Sequence, residues 1–312
     1  MRTIYLNDTL TETLSPCVAT IGFFDGVHRG HRYLIDHVKA LARQSGLQST
    51  VITFDLHPRQ VLQSNYQPRL LTSLDRKLQL LGETGVDNVV VIHFTPQVAA
   101  LTAHDFMADI LQNRLNVRQL VIGYDNRFGH NRTDGFDDYV RYGQELGIQV
   151  IRSRAYVLHG INVSSSVVRE LIADGDMTRA RECLGYAYTI DGTVVHGRQI
   201  GRRMGYPTAN VRPLDANQML PRGGVYAVRV LLSDGNRYSA MLNIGTRPTF
   251  DDGEVSIEAH LFDCDLGLYD QRVSVSFDAR VREERRFDNA GDLERQLDSD
   301  EQLIRTYYAN HK

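Results

Sequence analysis

The apolar residues of this 312-residue chain follow one period in its first half and another in its second. From residue 17 to about 151, short Val- and Ile-rich runs at 18–23, 49–54, 88–94, 119–123 and 149–151 read as buried strands. Between the first two, Leu34, Ile35, Val38, Leu41 and Ala42 recur at helical spacing, and Gly46 supplies a stop. Phe106, Ile110 and Leu111 predict a further helix, as do Tyr139, Tyr142 and Leu146. Strands alternating with helices over this length predict a doubly wound α/β domain on a parallel sheet.

Beyond about Gly185 the rhythm becomes strictly twofold. Val273, Val275, Phe277, Ala279 and Val281 alternate with Ser274, Ser276, Asp278, Arg280 and Arg282, and Val255, Ile257, Ala259 and Leu261 with Ser256, Glu258 and His260. With turn signals at Asp234-Gly235 and Asp252-Gly253, this predicts an antiparallel sheet closing into a small β-barrel. Leu293, Leu297, Ile304 and Tyr308 share one helical stripe and predict a C-terminal helix packed on that sheet. The rhythm switches across residues 171–188, where Asp174-Gly175 and Gly185 interrupt it, so the expected domains are 1–184 and 185–312. There is no internal repeat; the halves are two folds rather than a duplication.

The bulk chemistry narrows the partners. A formal net charge of -3 argues against a nucleic-acid partner, because phosphate-tracking domains carry a basic excess. The three cysteines, Cys17, Cys183 and Cys264, lie far apart without a C-x-x-C pair, which fits a reducing compartment and gives no thiolate metal site. Residues 2–16 are polar and no apolar run reaches membrane-spanning length, so the expected location is the cytoplasm, with no membrane partner. Oligomeric state leaves no signal in the sequence.

In the first half, the strand at 18–23 runs into Gly22-Phe23-Phe24-Asp25-Gly26-Val27-His28-Arg29-Gly30-His31, and a helix follows. Gly26 and Gly30 fall in the strand-to-helix turn, where backbone N–H groups and the positive helix end can approach a phosphate. His28 and His31 bracket Gly30 and suit stabilisation of charge on a transferring phosphoryl group. Taken alone, the pair also fits two exposed imidazoles or half of a zinc site, although the His-Glu-x-x-His spacing of zinc proteases is absent.

This run closely resembles the first signature of the bacterial FAD synthetase module, a member of the H-x-G-H nucleotidyltransferase superfamily. Three further segments resemble it in the same order. Thr53-Phe54-Asp55-Leu56-His57-Pro58 is similar to the F-x-P-H-P turn, with Leu56 where Pro is usual. Gly123-Tyr124-Asp125-Asn126-Arg127-Phe128-Gly129 resembles the G-x-D-F-R-F-G loop, with Asn126 replacing an aromatic, and Val163-Ser164-Ser165-Ser166-Val167-Val168-Arg169 resembles I-S-S-T-x-I-R. The resemblance implies a Rossmann-like fold and the reaction of ATP with FMN to give FAD and pyrophosphate. It further implies His28 and His31 as catalytic groups; Phe24, Asp25, Gly26, Gly30, Asp125, Ser164, Ser165, Ser166 and Arg169 at ATP and its phosphates; and Asn126 at the flavin.

The second half lacks both standard phosphate loops. A strand instead leads through Val195, His196, Gly197, Arg198, Gln199, Ile200, Gly201, Arg202, Arg203, Met204 and Gly205 to Tyr206-Pro207-Thr208-Ala209-Asn210. Glycines at spacing four let backbone amides face an anion, and Thr208 and Asn210 offer oxygens suited to a hard cation. By spacing alone this is equally a basic surface loop. The segment around Pro207-Thr208-Ala209-Asn210 resembles the P-T-A-N signature of riboflavin kinases, and the runs at 243–250 and 257–263 are similar to that family in order and spacing. Together the two resemblances span about residues 15–300. They imply ATP-dependent phosphorylation of riboflavin with Mg²⁺, held by Thr208 and Asn210, and ATP contacts at Gly197, Arg198, Gly201 and Gly205. Glu258 is the implied general base: it alternates with Ile257 and Ala259 and so points away from their apolar face. Otherwise it is a solvated strand glutamate. Arg282 is a candidate at the flavin. Two other readings remain open: a nucleotidyltransferase for another acceptor, motivated by Asn126, and a flavin-binding regulatory protein.

Overall fold

A computed structural model of the chain describes residues 1–6, 14–63, 65–197, 205–246 and 255–311. Its packing divides into two units, Met1–Ser165 and Ser166–Lys312. In the first unit the elements run β1 (Arg2–Leu6), β2 (Cys17–Ile21), α1 (Arg29–Ser45), β3 (Gln48–Phe54), α2 (Pro58–Leu62), α3 (Leu74–Gly82), β4 (Asn88–Ile92), α4 (Pro96–Ala100) and α5 (Ala103–Asp105). A π-helical stretch (Phe106–Arg114), β5 (Val117–Ile122), α6 (Phe136–Leu146), β6 (Gln149–Arg152) and the small hairpin β7 (Val157–Leu158) and β8 (Ile161–Asn162) follow.

Six strands form one sheet in the order β1-β4-β3-β2-β5-β6, with every neighbouring pair parallel. β2 is buried at all five residues, as a central parallel strand covered on both faces must be. α1 buries Leu34, Ile35, Val38 and Ala42 and stops at Gly46, whose φ of 66° closes the helix with an N–H donated to Ala42 and Arg43 carbonyls. The order reverses between β2 and β5, and the crevice at the carboxyl ends of strands flanking such a reversal is where doubly wound sheets bind ligands. The expected strands and helices are present. β1 was not among them: as an edge strand it buries only Ile4 and Leu6 and leaves Tyr5 exposed, too short an alternation to stand out.

In the second unit, α7 (Ser165–Asp174) and α8 (Met177–Leu184) precede a closed barrel of β9 (Tyr188–Val195), β10 (Ala209–Pro213), β11 (Gly224–Leu232), β12 (Arg237–Thr246), β13 (Val255–Leu261) and β14 (Arg272–Arg282), ordered β10-β13-β12-β11-β14-β9 with β9 pairing β10. Tyr188, Tyr226 and Phe277 fill the interior. On the outside, α9 (Ala290–Asn310) lays Ile304, Leu297 and Tyr308 against Val225, Ala227, Met241 and Phe262. The Asp234-Gly235 turn joins β11 to β12, with Gly235 at φ 88°; the Asp252-Gly253 signal lies outside the described residues.

The packing boundary precedes the expected 184/185 junction by two helices. Asp174-Gly175 forms the turn between α7 and α8. A Cβ on Gly175 would stand 2.6 Å from Arg280 Cδ of β14, and Arg222 N–H donates to Ile172 O at 3.3 Å. Asp278 is buried on β14 and gathers three other elements: Arg229 Nε and Nη2 donate to it at 2.8 and 2.6 Å, Tyr308 Oη at 3.0 Å and Arg181 Nη1 at 3.4 Å. Asp278→Ala strands these donors. Because Arg229 and Arg181 are about half exposed, the loss falls at the low end for a broken buried pair. We expect about 3 kcal/mol, on the order of 10 °C in the barrel's thermal midpoint by calorimetry.

Candidate active sites

The chain leaves β2 through a strained turn. Phe24 sits at φ 55°, Gly26 at 78° and Val27 at 36°. Positive φ at a buried aromatic and at a β-branched residue is held only where the surroundings over-determine it, and such strain concentrates at functional sites. His28 then caps α1, its Nδ1 accepting the His31 N–H at 3.2 Å. An imidazole whose Nδ1 accepts carries its proton on Nε2 when neutral, so His28 is a fixed Nε2–H donor. The His31 ring stacks on it with centroids 3.6 Å apart. A Cβ on Gly30 would lie 2.8 Å from Val163 O, so glycine lets the segment before Ser165 press onto the turn, and Ser165 Oγ donates to Asp25 O at 3.0 Å.

Asp25, expected among the ATP-binding residues, is buried, and its carboxylate accepts from Leu71 N–H at 2.9 Å and Thr72 N–H at 3.1 Å. Thr72 Oγ1 in turn accepts Gly26 N–H at 3.2 Å. The side chain therefore fastens the turn to the segment before α3. From that helix Lys77, 2% exposed, donates Nζ hydrogen bonds to Phe23 O at 3.1 Å and Phe54 O at 2.8 Å. Asn126 stands over the reversal point: its Nδ2 donates to Ile21 O, the last residue of β2, at 2.5 Å. The aromatic usual there cannot make that bond. Tyr139 of α6 stacks on Phe128 at 4.4 Å and bonds both its N–H and its carbonyl, which sets the loop that carries Asn126 and the exposed Asp125.

In the barrel, Glu258 of β13 is directly opposite Asn210 of β10 on one side and Asn243 of β12 on the other. Cross-strand partners point to the same face, so the three form a row on the outer surface while Ile257 and Ala259 are buried on the inner one. A Cβ on Gly197 would lie 2.1 Å from Asn210 Nδ2, so the glycine lets the Asn210 side chain lie flat against the chain leaving β9. His260, two residues beyond Glu258, pairs its Nδ1 with Pro207 O at 2.8 Å and fixes the segment that carries Thr208. Gly205, at φ 80°, opens that segment. Arg198 and Gly201 lie outside the described residues. Arg282, expected near the flavin, donates from Nε and Nη2 to the buried Asp300 of α9 at 2.9 and 2.7 Å, a pair that clamps the terminal helix. Among the described residues no group of three or more His, Cys, Asp or Glu is placed to hold a metal ion.

Two family models match the chain in succession, FAD synthetase over residues 10–167 and riboflavin kinase over residues 184–308. The bifunctional riboflavin kinase/FMN adenylyltransferase of Escherichia coli (strain K12) is 38% identical over 292 residues, 94% of this chain and 93% of that protein. That of Listeria monocytogenes is 35% identical over 315 residues, 99% of each. The chain belongs to the bifunctional riboflavin kinase/FMN adenylyltransferase family.

A crystal structure described as a macrolide-efflux protein from Streptococcus pneumoniae is also similar, 32% identical with a TM-score of 0.89 over 98% of this chain and 99% of that one. Its designation differs from those of the curated relatives; no helix among the described residues here is long and apolar enough to cross a membrane. Within the family framework, the residues beyond sequence reasoning are supports. Lys77 had a legible signal, since it falls on the stripe of α3 that buries Leu80 and Leu81. Asn243 opens a recognised run but gains meaning only from its register with Glu258. Thr72 carried no signal, and Tyr139 was readable only as part of a helical stripe.

Proposed function

We propose that the chain phosphorylates riboflavin to FMN on the barrel and adenylylates FMN to FAD at the H-x-G-H turn. The observation that carries this is the presence of both constellations, the Asn210–Glu258–Asn243 row and the capped His28–His31 stack, in a chain that matches both families along its length.

In the first reaction Glu258 accepts the proton of the riboflavin 5′-hydroxyl while that oxygen bonds to the γ-phosphorus of ATP and the β,γ-bridging bond breaks, releasing ADP. In the second, a phosphate oxygen of FMN attacks the α-phosphorus and pyrophosphate leaves. This nucleophile is already anionic, so the protein's task is to place and stabilise charge: His28 Nε2–H and His31 serve as donors, with Ser164, Ser165, Ser166 and Arg169 assigned to the leaving phosphates by motif. Thr208 and Asn210 fit a hard cation, with hydroxyl and amide oxygens beside a carboxylate in register. Mg²⁺ bound there would neutralise phosphate charge. The same reading puts both reactions in the cytoplasm, supported by Cys17, Cys183 and Cys264 forming no disulfide.

Incubation with riboflavin, ATP and Mg²⁺ and separation of the flavins should show FMN rising first and FAD following with pyrophosphate. Formation of neither flavin would overturn the reading.

A further inference from the structure

Lys77 has no part in the chemistry above, yet it is among the most thoroughly buried charges of the first unit. An ammonium in the interior is costly unless its protons are taken up, and a Leu or Met on this stripe of α3 would pack without that cost. Its acceptors are specific. Phe54 is the last residue of β3, and Phe23 immediately precedes the first strained residue of the turn. Nζ also lies 4.1 Å from the centroid of the Phe23 ring, on which His57 packs edge-on at 4.8 Å. The brace thus joins two adjacent strands at their carboxyl ends, at the point where the chain turns towards His28.

We infer that Lys77 is a positioning residue for adenylyl transfer: its ammonium, by holding the carbonyls of Phe23 and Phe54, fixes where the strained turn leaves the sheet and so where His28 presents its donor. This rests on the adenylyltransferase reading of the first unit. The paired fastening by Asp25 beneath Gly26 supports it, because the turn is tied to the same stretch at Leu71 and, through Phe23 O, at Lys77.

The charges around Lys77 set its pH behaviour. Asp25 faces it from the turn and Asp55 from the end of β3; Asp55 is itself paired with His93, at 2.5 Å, from beyond β4. Asp75 and Arg76 are its neighbours on α3, and His57 packs on the ring beneath it. Burial outweighs the two carboxylates and brings the ammonium down from 10.5 to about 8. A lysine whose pKa is lower folded than unfolded binds fewer protons in the folded state between those values, so its contribution to stability rises with pH across about 8 to 10.5. In the folded protein the charge that braces the turn is lost as pH rises through about 8. Activity and stability therefore move in opposite directions, a signature that a purely structural lysine lacks.

The test follows conversion of supplied FMN and ATP to FAD by the full chain from about pH 7 to 9.5, with thermal unfolding recorded alongside and riboflavin phosphorylation as the internal control. In the unsubstituted protein the adenylylation kcat should fall through about pH 8 without a matching drop in thermal midpoint. Lys77→Arg, which keeps the charge throughout, should lose this alkaline limb. Lys77→Met should lower kcat about tenfold or more at pH 7.5 while phosphorylation stays within about twofold, because misplacing a reacting group by a fraction of an ångström is sufficient for such a loss. A flat profile in the unsubstituted protein, an unchanged limb in Lys77→Arg, or near-normal adenylylation in Lys77→Met would each overturn the assignment. If Lys77→Met does not fold, the profile of the unsubstituted protein decides. No FAD from the unsubstituted protein at pH 7.5 would instead overturn the adenylyltransferase reading itself.

Discussion

Glu258→Gln should lower riboflavin phosphorylation by about 10²- to 10⁴-fold, the range over which a positioned general base accelerates proton transfer, and leave the conversion of supplied FMN to FAD unchanged. The substitution is nearly isosteric, and Glu258 is only half-buried on the outer face of β13, so the barrel and its pairing with Asn210 and Asn243 should persist. What the amide loses is the capacity to accept the hydroxyl proton. The expected signature is therefore a fall in kcat and kcat/KM together with little change in KM for riboflavin, as for an interaction made only in the transition state. Glu258→Asp should recover part of the rate, because the carboxylate is retained but withdrawn by one methylene. A solvated strand glutamate would give normal turnover in both variants. Kinetics of FMN formation in the two variants distinguish these cases.

The architecture was legible because both folds write their burial into the sequence as a period. The fully buried β2 appears as a continuous apolar run and the barrel strands as strict alternation, whereas β1 buries only two side chains and leaves no run to read. At the junction the sequence shows only that the rhythm stops; that Gly175 makes room for Arg280 of β14 depends on tertiary packing. For the sites, motifs identified where the backbone concentrates chemistry but not which way a side chain turns. Asp25, Asn126 and Arg282 each lie in a recognised segment, yet their side chains bind Leu71 and Thr72, Ile21 and Asp300 respectively. Which neighbour an acidic, an amide or a basic group meets is a choice that only tertiary structure makes. Glu258 was readable for the converse reason: strand alternation alone fixes which face it takes.

In the other half, His28→Asn is the more informative substitution than His28→Ala, and it should reduce FAD formation from FMN by about 10²- to 10³-fold, the effect of removing one fixed donor from developing charge. His28 has two functions that Ala would remove together. Its Nδ1 caps α1 by accepting the His31 N–H at 3.2 Å, and that bond leaves the proton on Nε2 as a donor. Asn is among the best helix caps, so it should keep the first function while losing the imidazole. Ala should add a loss of about 1 kcal/mol in stability from the missing cap. The two variants should therefore be similarly poor adenylyltransferases but differ in thermal midpoint. Both should still phosphorylate riboflavin at the normal rate, because the Asn210–Glu258–Asn243 row lies in the barrel, so FMN should accumulate when riboflavin and ATP are supplied. Adenylylation retained in His28→Asn but lost in His28→Ala would mean that the residue acts only as a cap. The charge stabilisation would then have to come from His31, whose ring lies 3.6 Å away in the same stack.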